Sequence, residues 1–226
     1  MDILKEKNKV VKIEDLIIEY DKLQKKYGAK ELDSIYNGGC ENNPNICFVF
    51  MNPTGRNIAS DKSWNGIKAP WIGTKNIWDL FYELDLLDKN IYIRIKAIKA
   101  TEWTEKFAND VYDDVKKHKY FITNLGKCTQ IDARPLSDNV YKEYLHLLEK
   151  EIEIINPKVI VLFGNQVSSI VLNKKISVSQ CRKQEFKKEI NGKIYKCYSV
   201  FYPVGNGRFN IGKSIEDIRY IIGNIL

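Results

Sequence analysis

Apolar positions along this chain follow two rhythms. In the first they recur every three or four residues: Leu16, Tyr20, Leu23 and Tyr27 share one helical face. Acids in the first turn, lysines in the last and Gly28 as a stop predict a helix beginning near Glu14. Tyr141, Leu145, Leu148, Ile152 and Ile155 repeat the rhythm between Ser137-Asp138 and Asn156-Pro157. Ile215, Ile218, Ile222 and Ile225 repeat it again, with Ser214 and Asp217 read as a variant capping box. Phe107, Val111 and Val115 predict a helical excursion over residues 90–119.

The second rhythm is a near-continuous apolar run rich in β-branched and aromatic residues. Four such runs occur: Ile46 to Met51, Tyr120 to Thr123, Val159 to Phe163 and Ile194 to Tyr202. Apolar strands separated by helical segments imply a parallel sheet covered on both faces. The expectation is therefore an α/β fold, three layers α/β/α around a central four-stranded parallel sheet. No stretch reads as a linker, so residues 1–226 are expected to form one domain, with a helical extension over about 1–40 and a helical insertion over about 90–119.

The run endings carry the chemistry. The first empties into Asn52-Pro53, the second into Asn124, the third into Gly164-Asn165-Gln166, and the fourth into Tyr202-Pro203-Val204-Gly205-Asn206-Gly207-Arg208. In a parallel sheet these ends share one edge, so amides, a phenol and a guanidinium are expected to converge on one crevice. Proline after Asn52 stiffens the backbone that presents its amide.

Composition narrows what the crevice serves. Lys and Arg outnumber Asp and Glu by 36 to 29, a formal charge of +7 that suits a polyanionic partner. The opening from Met1 to Lys9 is charged throughout and no apolar run approaches a bilayer's thickness, so a cytoplasmic protein without a membrane partner is expected. Five cysteines without a signal segment argue for reduced thiols, and Cys40 and Cys47 are spaced too loosely for a zinc knuckle. The only histidines are His118 and His146, and neither falls at a strand end, which argues against a covalent triad. There is no Gly-x-Gly-x-x-Gly or phosphate-binding Gly-Lys-Ser/Thr loop, and no carboxylate at the four strand ends. No metal and no cofactor are expected. An amide and aromatic pocket suits a planar heterocycle, and with a basic surface the natural candidate is a nucleobase swung out of a strand.

From about Phe48 to Leu226 the chain resembles the uracil-DNA glycosylase superfamily. Met51-Asn52-Pro53 is similar to that family's water-positioning Gly-x-Asn-Pro-Gly, and Pro70-Trp71-Ile72-Gly73 to its Pro-Phe-x-Gly, whose ring stacks on the flipped base. Asn124-Leu125-Gly126-Lys127-Cys128, followed by Arg134-Pro135, resembles an Asn-x-x-Lys-Cys-x-Pro-Pro segment whose asparagine reads the uracil edge. Glu153 to Gly164 resembles the helix and strand that follow it. Phe201-Tyr202-Pro203 through Arg208 stands in the place of a His-Pro-Ser loop that pinches the DNA backbone.

The resemblance implies a monofunctional DNA glycosylase hydrolysing the N-glycosidic bond of uracil or a related deaminated base in single-stranded or duplex DNA, acting as a monomer. It implies catalytic roles for Asn52 and Tyr202, and substrate binding by Met51, Thr54, Trp71, Asn124 and Arg208. Lys75 and Lys127 join Arg208 as candidate phosphate contacts. One branch carries four cysteines on an iron-sulfur cluster. Cys128 matches one of those positions and Cys40 or Cys47 only lies near another, so no cluster is expected. Phe50 and Thr54 stand where the first motif has glycines, and Tyr202 where the last has histidine. These departures support two alternatives: a glycosylase-like protein that binds nucleic acid or a nucleobase without cutting, and, less strongly, an enzyme acting on small nucleosides.

Overall fold

A computed structural model describes residues 12–134 and 136–225. Pro135, the charged opening of the chain and the side chain of Ile225 lie outside it. Five strands form one sheet: β1 (Ile46–Phe50), β2 (Tyr120–Asn124), β3 (Val159–Phe163), β4 (Glu185–Ile190) and β5 (Lys193–Val200), in the order β2-β1-β3-β5-β4. The first, second, third and fifth are mutually parallel, and β4 pairs antiparallel with β5.

The expected four-stranded, wholly parallel sheet is thus corrected to five strands with one antiparallel edge. Phe186 and Ile190 are the buried positions of β4, and the lysines and glutamates among the rest leave no continuous apolar run. An edge strand covered on one side takes such a pattern, and its charges discourage pairing with other chains. The two-residue turn Asn191-Gly192, both at positive φ, was the available signal of a hairpin.

Alternation along the strands divides the core. Phe48, Phe50, Ile122, Val161 and Phe163 pack beneath α2 (Asn76–Glu83), α4 (Glu105–Lys117) and α7 (Ile211–Ile225). Cys47, Val49, Phe121, Ile160 and Leu162 face α5 (Asp138–Ile155) and α6 (Asn165–Val171). The 90–119 segment holds α4 and most of α3 (Lys89–Ala97), and Phe107, Val111 and Val115 are buried as their spacing predicts. α1 (Ile17–Tyr27) follows a 3-10 turn at Ile13–Leu16 and stops at Gly28; Leu16 of the turn and Tyr20 of the helix pack against Tyr144 and Leu147 of α5. α7 begins at Ile211, so Ser214 is no cap: it lies inside the helix, its Oγ donating to the carbonyls of Phe201 and Asn210. Among the described residues no helix is long and apolar enough to cross a membrane.

Candidate functional site

Register sets the site. β1 and β2 pair with Phe50 opposite Asn124, so the loop that follows Phe50 and the end of β2 emerge side by side at the carboxyl edge of the sheet. A cleft of about 620 Å³ opens there, and Asn52, Thr54, Trp71, Asn124 and Tyr202 all line it. Met51 and Arg208 are not among its lining residues. Strand alternation turns Met51 onto the core facing α5, and its carbonyl accepts from Gly126 N–H at 2.9 Å. Arg208 is exposed with its guanidinium over the Phe209 ring.

Asn52 is buried and its amide is oriented from both ends. Oδ1 accepts from the Tyr141 hydroxyl at 2.6 Å, and Nδ2 donates to the Pro53 carbonyl at 3.1 Å, leaving one N–H and one lone pair for other partners. Asn124 is different. It is only 2 % exposed, and among the described residues its buried Oδ1 has no hydrogen-bond partner. A buried acceptor left unpaired costs about 1–3 kcal/mol, and such an atom in a cleft wall is ready for a ligand's donor.

Trp71 sits at φ +66°, a conformation that bulky residues rarely adopt. Its carbonyl holds the strain in place by accepting from Thr74 N–H, Thr74 Oγ1 and Trp78 Nε1. From below, the Phe50 ring meets the indole edge-on at 5.1 Å while stacking on Phe163 at 4.1 Å. Phe50 therefore lies under the cleft floor and does not fill the opening. The Trp71 loop is tied laterally as well, by Asn57 Nδ2 to the Ala69 carbonyl at 2.8 Å and by the Tyr112 hydroxyl to the Pro70 carbonyl at 2.5 Å. Tyr112 belongs to α4, so the 90–119 excursion braces one wall of the site.

Tyr202 meets Phe50 edge-on at 6.0 Å, and burial pushes its phenol well above the ordinary tyrosine range. At neutral pH it keeps its proton, so toward a departing base it can donate a hydrogen bond but does not hand over the proton. Gly207 allows the loop to fold back, because a Cβ there would lie 2.0 Å from the Tyr202 carbonyl oxygen.

Two expectations about charge change, and one residue is added. Lys127 cannot meet phosphate: it is fully buried, with Nζ on Glu151 Oε2 at 2.7 Å, on the Asn124 carbonyl at 3.0 Å and on Thr123 Oγ1. Lys75 lines the cleft but donates to the Lys96 carbonyl at 2.7 Å. Arg56, which the sequence pattern did not single out, is exposed at the cleft. The spacing of Tyr141 marks only a core position of α5, and nothing in the periodicity distinguishes an orienting hydroxyl from a packed ring.

The thiols do not fit an iron-sulfur cluster. Cys128 is fully buried among Leu16, Tyr20, Tyr144 and Leu147, an apolar group with no second cysteine, and Cys47 lies within β1 against the core facing α5. Among the described residues the one set of three ligand atoms within 4.8 Å of one another comes from Asp88, Asp114 and His118. It sits where α4 meets the start of β2, at the sheet edge opposite the cleft.

Compared with protein-family models, residues 37–209 match the one described as the uracil DNA glycosylase superfamily. A search of curated proteins gives no match.

Proposed function

Because the chain belongs to the uracil DNA glycosylase superfamily, we propose that it is a DNA glycosylase that hydrolyses the N-glycosidic bond of uracil or a related deaminated base flipped out of DNA. The observation that carries this reading is the orphaned Asn124 Oδ1, buried in the wall of a cleft that Asn52 and Trp71 also line. A uracil ring against the indole would offer its N3–H to that oxygen, while Asn124 Nδ2 donates to the neighbouring carbonyl. Negative charge grows on that carbonyl as the bond to C1′ lengthens, and one such donor supports turnover by about 10²–10³-fold.

The Asn52 amide is not basic enough to take the water's proton, so it acts by placement. Its remaining N–H and lone pair hold a water against C1′. That oxygen bonds to C1′, the C1′–N bond breaks with its electron pair leaving on the base, and the water's proton passes to solvent. Tyr202 donates a hydrogen bond without releasing its proton. Arg56 and Arg208 supply exposed charge for the strand backbone, and Phe209, 82 % exposed beside Arg208, offers an apolar wedge for the gap the base leaves.

Oligonucleotides carrying uracil, hypoxanthine or xanthine, single-stranded and duplex, test this: incubation followed by alkali is expected to cleave at the damaged position of at least one. No scission with any of them rejects the proposal. A second reading, binding of a base or strand without cutting, draws on the engagement of the Asn52 amide at both ends. Binding that survives Asn52→Ala, with no turnover in the parent, would favour it.

A further inference from the structure

The family match begins at residue 37, yet the chain before it reaches the candidate site. Gln24 of α1 is only 6 % exposed, a costly place for a carboxamide on a face otherwise built from Leu16, Tyr20 and Leu23. Its polar atoms are all used. Oε1 accepts from Thr129 N–H at 2.7 Å, and Nε2 donates to the carbonyls of Ala29 at 3.0 Å and Leu32 at 2.8 Å. Around it the segment grips the loop after Asn124 repeatedly: Ala29 N–H to the Thr129 carbonyl at 2.9 Å, Ile35 N–H to the Lys127 carbonyl at 3.1 Å, Thr129 Oγ1 to the Asp33 carbonyl at 2.7 Å, and Gln130 Nε2 to the Tyr27 carbonyl at 2.7 Å. Gly28 makes room for this, since a Cβ there would stand 2.2 Å from Gln24 Nε2.

The gripped loop in turn holds the other asparagine's loop. Gln130 N–H donates to the Pro53 carbonyl at 3.1 Å, and Gly55 N–H to the Gln130 carbonyl at 2.8 Å. Cys128, in the same loop, packs against Leu16 and Tyr20, so the extension grips this loop through apolar contacts as well.

We propose that residues 16–35 are a positioning clamp that fixes Asn124 relative to Asn52, with Gln24 as the residue on which it turns. The inference rests on the glycosylase reading of the cleft. Placement matters there because a displacement of about 1 Å in a reacting geometry can cost on the order of 10²-fold in rate.

Two variants test it. Gln24→Met keeps the shape and removes the three hydrogen bonds; Gly28→Ala keeps the glutamine and pushes it off its site. For each, kcat and KM are measured on an oligonucleotide the parent cuts, with amide hydrogen exchange at Gly55 and Gln130. Each variant is expected to lose roughly 10-fold or more in kcat, with KM within about twofold and both amides exchanging about 10-fold faster. Glu19→Ala, on the exposed side of α1 and paired with Lys22, is expected to match the parent. Parent-like kcat in both variants, or a fall in kcat with unchanged exchange, overturns the clamp. If Gln24→Met does not fold, Gly28→Ala decides. If the parent cuts no oligonucleotide, the function fails separately, and unchanged exchange at Gly55 and Gln130 still overturns the clamp.

Discussion

At the scale of single residues, the two asparagines behave oppositely, and two substitutions separate them. Asn124 Oδ1 makes no hydrogen bond among the described residues, so Asn124→Ala removes a buried, unsatisfied acceptor and is expected to leave the melting temperature unchanged or raised while turnover falls about 10²–10³-fold. A melt that drops along with activity would show that the side chain serves the fold instead. Asn52 is already paired. Tyr141→Phe deletes the 2.6 Å bond that orients it, and is expected to cost about 0.5–1.5 kcal/mol of stability and to lower kcat with little change in KM. Chemical denaturation and steady-state kinetics on the same variant check both halves. Asn52, Trp71 and Asn124 were legible in the sequence because each follows a strand or sits in a short motif. Tyr141, Gln24 and Arg56 were not, since their roles depend on which partner the fold brings near, and that has no period.

At the scale of elements, what could be read was whatever repeats. The parallel strands and the helices that bury one face announce themselves by spacing, whereas β4 hid behind its charges and α7 began three residues before the Ser214 that imitates a cap. Lys127 escapes the pattern for a related reason: a lysine in a loop has the sequence signature of a solvated one, and only the fold puts Glu151 of α5 beneath it. That buried pair joins β2, the loop after it and α5, so breaking it differs from removing it. Lys127→Met leaves Glu151 charged in the interior and is expected to cost about 3–5 kcal/mol. Lys127→Met with Glu151→Met replaces both charges by apolar chains and is expected to recover most of that loss. Urea midpoints of parent, single and double variants measure it. Equal loss in single and double variants would mean that the packing of the lysine stem matters more than its charge.

The whole molecule carries an unusual load of buried phenols, and its pH dependence follows from them. Tyr20, Tyr112, Tyr120, Tyr141 and Tyr144 are at most 2 % exposed, and burial raises each well above the ordinary value near 10. Between that value and the raised one, the unfolded chain has released protons that the folded chain retains. Stability is therefore fully present below about pH 10 and falls as pH climbs through the window above it. Each such group contributes about 1.4 kcal/mol per pH unit, so the five together remove on the order of 7 kcal/mol per unit. A domain of ordinary stability, about 5–15 kcal/mol, is then expected to unfold cooperatively within roughly one to two units above pH 10. Tyr202, also raised, keeps its proton below that transition, so turnover is expected to show no tyrosine ionisation before the fold is lost. Absorbance at the phenolate band followed alongside far-ultraviolet circular dichroism tests this. The phenolate absorbance of these five buried tyrosines is expected to rise only as the backbone signal collapses. Gradual titration of all the phenols in a chain that stays folded would mean that water reaches these hydroxyls, and the clamp and cleft built around Tyr20 and Tyr141 would be looser than the hydrogen bonds and packing there require.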